Sequence, residues 1–76
     1  MTVYTYITTY PNGKLNSICG AVFGSETEAT DQLYQLFNSD NWRVFWSDTH
    51  YQIYERTSSG MKHIFDAYII SFETAY

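Results

Sequence analysis

Cations are scarce in this chain: Lys14, Arg43, Arg56 and Lys62 stand against eight carboxylates, for a formal net charge of −4 over 76 residues. Binding to a phosphate backbone draws on clustered Lys and Arg that displace counterions, so direct nucleic-acid binding is not expected. Cysteine is scarcer still. Cys19 stands alone, which excludes an intrachain disulfide, and a domain this small without such staples relies on packing or self-association. The four glycines, Gly13, Gly20, Gly24 and Gly60, are dispersed, so no glycine-rich loop can cradle a phosphate. The longest apolar run is Ala67–Ile70, far short of the roughly 18 to 20 residues a membrane helix needs. The opening residues alternate Thr and Tyr without a basic start or apolar stretch, so a secretory leader is not expected. With cysteine this sparse, a cytoplasmic location is the expectation, with no membrane contact.

Aromatics are plentiful: eight Tyr, five Phe and two Trp make up 20% of a chain that is 45% hydrophobic. That exceeds what disordered segments carry, so residues 1–76 are read as a single folded domain. Asn12-Gly13 lies between two runs rich in Thr, Tyr, Val and Ile, and such a pair favours a two-residue type I′ hairpin. That turn would pair strands over about 2–10 and 14–23. Tyr10 then faces Leu15, Thr8 faces Ser17, Tyr6 faces Cys19 and Tyr4 faces Ala21. On the other side Ile7 faces Ile18 and Val3 faces Val22. The second set resembles an ordinary aliphatic core; the three tyrosines form a face aromatic enough to require a cover.

Ser25 followed three residues later by Glu28 is a capping box, and Ala29, Leu33, Leu36 and Phe37 form one helical stripe ending near Asn38. The stripe is expected on the Val3, Ile7, Ile18, Val22 face. Glu26, Glu28 and Asp31 fall in the first two turns, where they complement the helix dipole; together with the other carboxylates they also make an acidic surface able to imitate DNA phosphates. Residues 42–47 and 50–56 alternate around Asp48-Thr49, giving a second hairpin. Val44 opposes Ile53 and Trp46 opposes Tyr51 on its core side; Arg43 opposes Tyr54, a candidate cation–π pair, and Phe45 opposes Gln52 on the other. Residues 62–72 fit a strand with Ile64, Tyr68, Ile70 and Phe72 on one side and Phe65, Ala67 and Ile69 on the other; a helical stripe fits as well, and the Gly60 turn favours the strand. The expected fold is α+β, in the order ββαβββ: an antiparallel sheet of four or five strands with one helix on one face.

No motif identifies a reaction. His50 and His63 fall near expected turns and read as exposed loop residues, Cys19 as a small half-buried neighbour of Tyr6, and Asp66 as a solvent-facing edge residue. A catalytic or small-molecule site would have to bring these four together. No metal, cofactor or catalytic residue is expected. The leading expectation is a non-enzymatic protein-binding module that contacts its partner through Tyr4, Tyr6, Tyr10, Phe45, Tyr54 and Tyr68 on an uncovered sheet face, with Glu26, Glu28 and Asp31 as an acidic rim. The expected partner is another protein, including a basic nucleic-acid-binding one, or a second copy in a homodimer. Compact acidic domains of this size and lack of motifs are a type that phages and mobile elements use to inhibit host defence complexes, including anti-CRISPR-like inhibitors, an analogy of type alone.

Overall fold

The structure, a computed structural model, describes residues 1–75. Five strands and one helix follow in the order β1 (Thr2–Thr9), β2 (Leu15–Ile18), α1 (Glu26–Phe37), β3 (Trp42–Ser47), β4 (His50–Thr57) and β5 (Gly60–Glu73). All strand pairs are antiparallel, in the spatial order β2-β1-β5-β4-β3. The α+β architecture with one helix on an antiparallel sheet is as the sequence implies, and residues 62–72 are strand. They belong to β5, which is central, pairing with β1 over its second half and with β4 over its first.

The first turn differs from the type I′ expectation. The Gly13 N–H donates to the Tyr10 carbonyl and the Tyr10 N–H to the Lys14 carbonyl, both at 2.8 Å. This makes a four-residue turn with Pro11 at its second position, where the fixed φ of proline suits. Gly13 takes φ +90°, whereas Asn12 does not adopt the positive φ that a type I′ turn requires of it. The extra residue shifts the register, so Thr9, not Tyr10, opposes Leu15, while Ile7–Ile18 and Thr8–Ser17 pair as expected. β2 is also shorter than 14–23. Beyond Ile18 the Cys19 N–H still donates to the carbonyl of its expected partner Tyr6 at 3.0 Å, after which the chain leaves the ladder until Phe23, which bridges Tyr4 in place of the expected Ala21.

Ser25 caps α1, its hydroxyl accepting from the Glu28 N–H at 3.2 Å, while the Glu28 carboxylate reaches back to the Gly24 N–H at 3.0 Å, one residue beyond the expected Ser25 amide. At the other end the Asn38 N–H donates to the Tyr34 carbonyl, and its side-chain oxygen accepts from the Val44 N–H at 3.1 Å, tying the helix end to β3.

The helix covers the face opposite to the one expected. Tyr6, 3% exposed, sits in the core with Leu33, Val44, Ile53 and Ala67, and its ring meets Phe37 edge-on at 6.4 Å. Of the four aliphatics expected in the core, Val3 is buried, but Ile7 is only half-buried, and Ile18 and Val22 are exposed. The reason lies in strands the first hairpin cannot see. The ladders set Tyr6 beside Ile69 and Thr8 beside Ala67, and Ala67 with Ala29 lets Leu33 pack closely, all three being fully buried. The other side of β4 and β5 carries His50, Gln52, His63 and Asp66, which an apolar helical stripe could not cover without stranding polar groups. Within the stripe, Ala29, Leu33 and Phe37 pack inward while Leu36 is exposed.

The second hairpin pairs in the expected register throughout, Val44–Ile53 and Trp46–Tyr51 on the helix side, Arg43–Tyr54 and Phe45–Gln52 on the other. Val44 and Ile53 are buried; Trp46, at the edge, remains exposed. The Arg43–Tyr54 cation–π pair is replaced: Arg43 donates to the carbonyls of Ser39 and Trp42, and Tyr54 packs against Phe45 and His63.

Candidate functional site

With α1 on one side, the sheet has an open face. Strand alternation places Val3, Thr5, Ile7 and Thr9 of β1, Ile18 of β2, Phe45 of β3, His50, Gln52, Tyr54 and Arg56 of β4, and Asp66, Tyr68, Ile70 and Phe72 of β5 there; Val3 and Thr5 are buried, the Thr5 hydroxyl donating to the Ala21 carbonyl at 2.7 Å. Phe45 is 48% and Phe72 45% exposed, with Tyr68, Ile70 and Ile18 also exposed.

Of the aromatic residues anticipated on this surface, Phe45, Tyr54 and Tyr68 are there. Tyr4, Tyr6 and Tyr10 are not. Tyr6 is core, Tyr4 shares its side by alternation, and Tyr10 lies against Phe65, itself packed on Phe37 beneath the helix. Glu26, Glu28 and Asp31 are exposed on α1, in the other layer, so they do not rim the open face.

At the centre of the open face is a polar cluster. Asp66 is not an edge residue; it lies on the central strand and is only 8% exposed. His50 Nε2 stands 3.0 Å and His63 Nε2 2.9 Å from its Oδ1. Neither histidine is a free loop residue. The His50 ring stacks on Tyr68 at 4.9 Å and its Nδ1 is 3.0 Å from the Thr49 hydroxyl. His63 stacks on Tyr54 at 5.2 Å, and its Nε2 also faces the Phe65 carbonyl at 3.0 Å. Two acceptors at one nitrogen mean that His63 carries its proton on Nε2. Tyr54 continues the row to Phe45, edge-on at 5.4 Å. An aromatic line thus runs from Phe45 through Tyr54 to His63, meets Asp66, and resumes with His50 and Tyr68.

A bulge assembles this cluster. Ile53 pairs with Phe65 but Tyr54 pairs with His63, so Ile64 is an extra residue on β5. It packs towards the core, not beside Tyr68 as strict alternation would have it, and His63 is carried to the face of Asp66. Cys19 takes no part. It lies against Tyr6 on the helix side, where burial first, then the hydrogen bond and charge of Cys19, push the Tyr6 hydroxyl up to about 12. Burial, then Tyr51, likewise raises Tyr34. A Cys–His dyad is therefore not formed, and no group of three His, Cys, Asp or Glu among the described residues is arranged to hold a metal ion.

Two grooves lie elsewhere. One of about 650 Å³ runs between the Val22–Gly24 segment and α1, past Glu28 and Asp31. Another, of about 390 Å³, lies between the first turn and the start of β5, lined by Tyr10, Trp42 and Phe65 and reaching His63. Neither gathers the Asp66 cluster. Among the described residues no helix is long and apolar enough to cross a membrane. Compared with known proteins, the chain matches no family model, no curated protein and no solved structure.

Proposed function

We propose that this chain is a non-enzymatic protein-binding module that docks a partner protein on its open sheet face. The observation that carries the reading is the exposure of Ile18, Phe45, Tyr68, Ile70 and Phe72 on one side of a single sheet whose other side is covered by α1. Exposed apolar area that is contiguous and dotted with aromatic rings marks association surfaces, because large rigid rings contribute contact area at little rotamer cost. Inhibition of a host protein is the form of this reading that the small, motif-free sequence suggests, and it would need nothing beyond tight occupancy of the partner.

Light scattering on a sizing column tests which occupant the face takes. The reading predicts a monomer of 8.9 kDa over the whole concentration range, for the native chain and for a Phe45→Ser, Phe72→Ser variant alike. A native dimer that the double variant converts to monomer would overturn it, since the face would then serve a second copy.

A further inference from the structure

We propose that Asp66 is a binding site for a cationic side chain of the docking partner, an arginine guanidinium or a lysine ammonium. The proposal rests on the reading of the open face as a docking surface and names the chemistry at its centre. A carboxylate whose side chain is only 11% exposed requires compensation. Here the compensation is one-sided. Both imidazole contacts go to Oδ1, and no described residue donates to Oδ2. That oxygen is not sealed from solvent either, because among the described residues no buried side-chain N or O atom lacks a partner. Oδ2 therefore keeps unused lone pairs within reach of solvent.

The surroundings suit a cation. His50 and His63 hold the carboxylate in place, each fixed by a second polar contact, to Thr49 and to Phe65, and by stacking on Tyr68 and Tyr54. An incoming guanidinium or ammonium would gain a charge-assisted hydrogen bond at Oδ2 with aromatic rings alongside. Other charges on this face stand further off. β1 and β2 contribute none. Arg43 is two strands away, roughly 10 Å by strand spacing, with its guanidinium turned to backbone carbonyls. Arg56 lies past Tyr54 beside Met61. The titratable groups in direct contact with the carboxylate are His50 and His63. Protonation of either places a positive charge against the same carboxylate, in competition with the ligand. Capture should therefore weaken when the pH is lowered from about 8 to about 5.5.

The test is a titration of the isotopically labelled chain with N-acetylarginine amide, followed by NMR, with N-acetylnorleucine amide as the uncharged control. The expected result is a saturable shift of the His50 and His63 imidazole and Tyr68 ring signals with the arginine compound alone. The shift should be lost in Asp66→Asn and weakened severalfold in the native chain at the lower pH. Should Asp66→Asn fail to fold, Tyr68→Leu and the pH series on the native chain decide the matter. Equal shifts with both compounds, shifts retained in a folded Asp66→Asn chain, or no shift at all would overturn the proposal. If the titration fails while a partner still docks on Phe45 and Phe72, the cation site alone is wrong; if the face engages no partner, the docking reading fails with it.

Discussion

His63 and Asp66 are three positions apart on one strand, yet their side chains meet at 2.9 Å on the same face of the sheet. An odd spacing on a regular strand sends side chains to opposite faces. The extra residue at Ile64 resolves this, turning Ile64 to the core and His63 outward to a carboxylate that His50 reaches from the neighbouring strand.

Asp66 accordingly contributes to stability whatever it binds. Asp66→Ala would remove the acceptor shared by two half-buried imidazoles, and the unfolding free energy should fall by about 1–3 kcal/mol, as expected when buried hydrogen-bonding groups lose their partner. Urea unfolding followed by Trp fluorescence measures it. An unchanged midpoint would mean that the cluster is solvated and idle.

The two aromatic faces should respond oppositely to truncation. Tyr6→Ala opens a cavity beneath α1, and by analogy with other aromatic core truncations it should cost about 3 kcal/mol or more. Phe45→Ser and Phe72→Ser, at exposed positions, should stay within about 1 kcal/mol of the native chain. The reverse order would place the helix on the other face.

Alkaline pH supplies a separate check on Tyr6. Its hydroxyl titrates at about 12 in the folded chain, against 10.0 ordinarily. The unfolded chain therefore loses the proton first, and the stability associated with neutral Tyr6 is fully present below about 10 and declines as pH rises towards 12. Tyr6→Phe should flatten that decline in a series of unfolding curves. An equal decline in the variant would assign the effect to other groups.

Reversing the charges of Glu26, Glu28 and Asp31 should loosen α1 without touching the open face. Each carboxylate in the first turns is worth about 0.3–1 kcal/mol at low salt through the helix dipole, and Glu28 additionally accepts from the Gly24 N–H. Stability of the triple lysine variant should drop, while partner binding, normalised to folded protein, should not. Loss of binding together with strong salt dependence would support phosphate mimicry by the acidic layer instead.

Local signals in the sequence carried well. The capping box at Ser25 and Glu28, the register of the second hairpin through Asp48-Thr49, and the strand over residues 62–72 were all legible because each depends on neighbours in the chain. The covered face was not. Val3, Ile7, Ile18 and Val22 make an aliphatic core only for the first hairpin in isolation, and of the four only Val3 is buried; the ladder with β5 binds Tyr6 to the side of Ala67 and Ile69, and a strand cannot exchange its faces without slipping register. At the first turn Pro11 prevails over the type I′ preference of Asn12-Gly13, because its fixed φ suits the second position of the four-residue turn. Asp66 could be singled out as a charge in an apolar run, but its histidine partners could not, because parity counting fails across the bulge at Ile64 and His50 arrives from another strand.

Site-specific photo-cross-linking tests the central claim most directly. A benzophenone amino acid placed at Phe45 or Phe72 on the open face, and at Gln35 on the exposed side of α1, would report what covers each surface in the native cellular setting. The account predicts one discrete adduct with a different protein from Phe45 and Phe72, absent from Gln35 and abolished when Tyr68 and Ile70 are replaced by serine. Adducts from Gln35 alone, or an adduct of twice the chain's own mass from the open face, would contradict it.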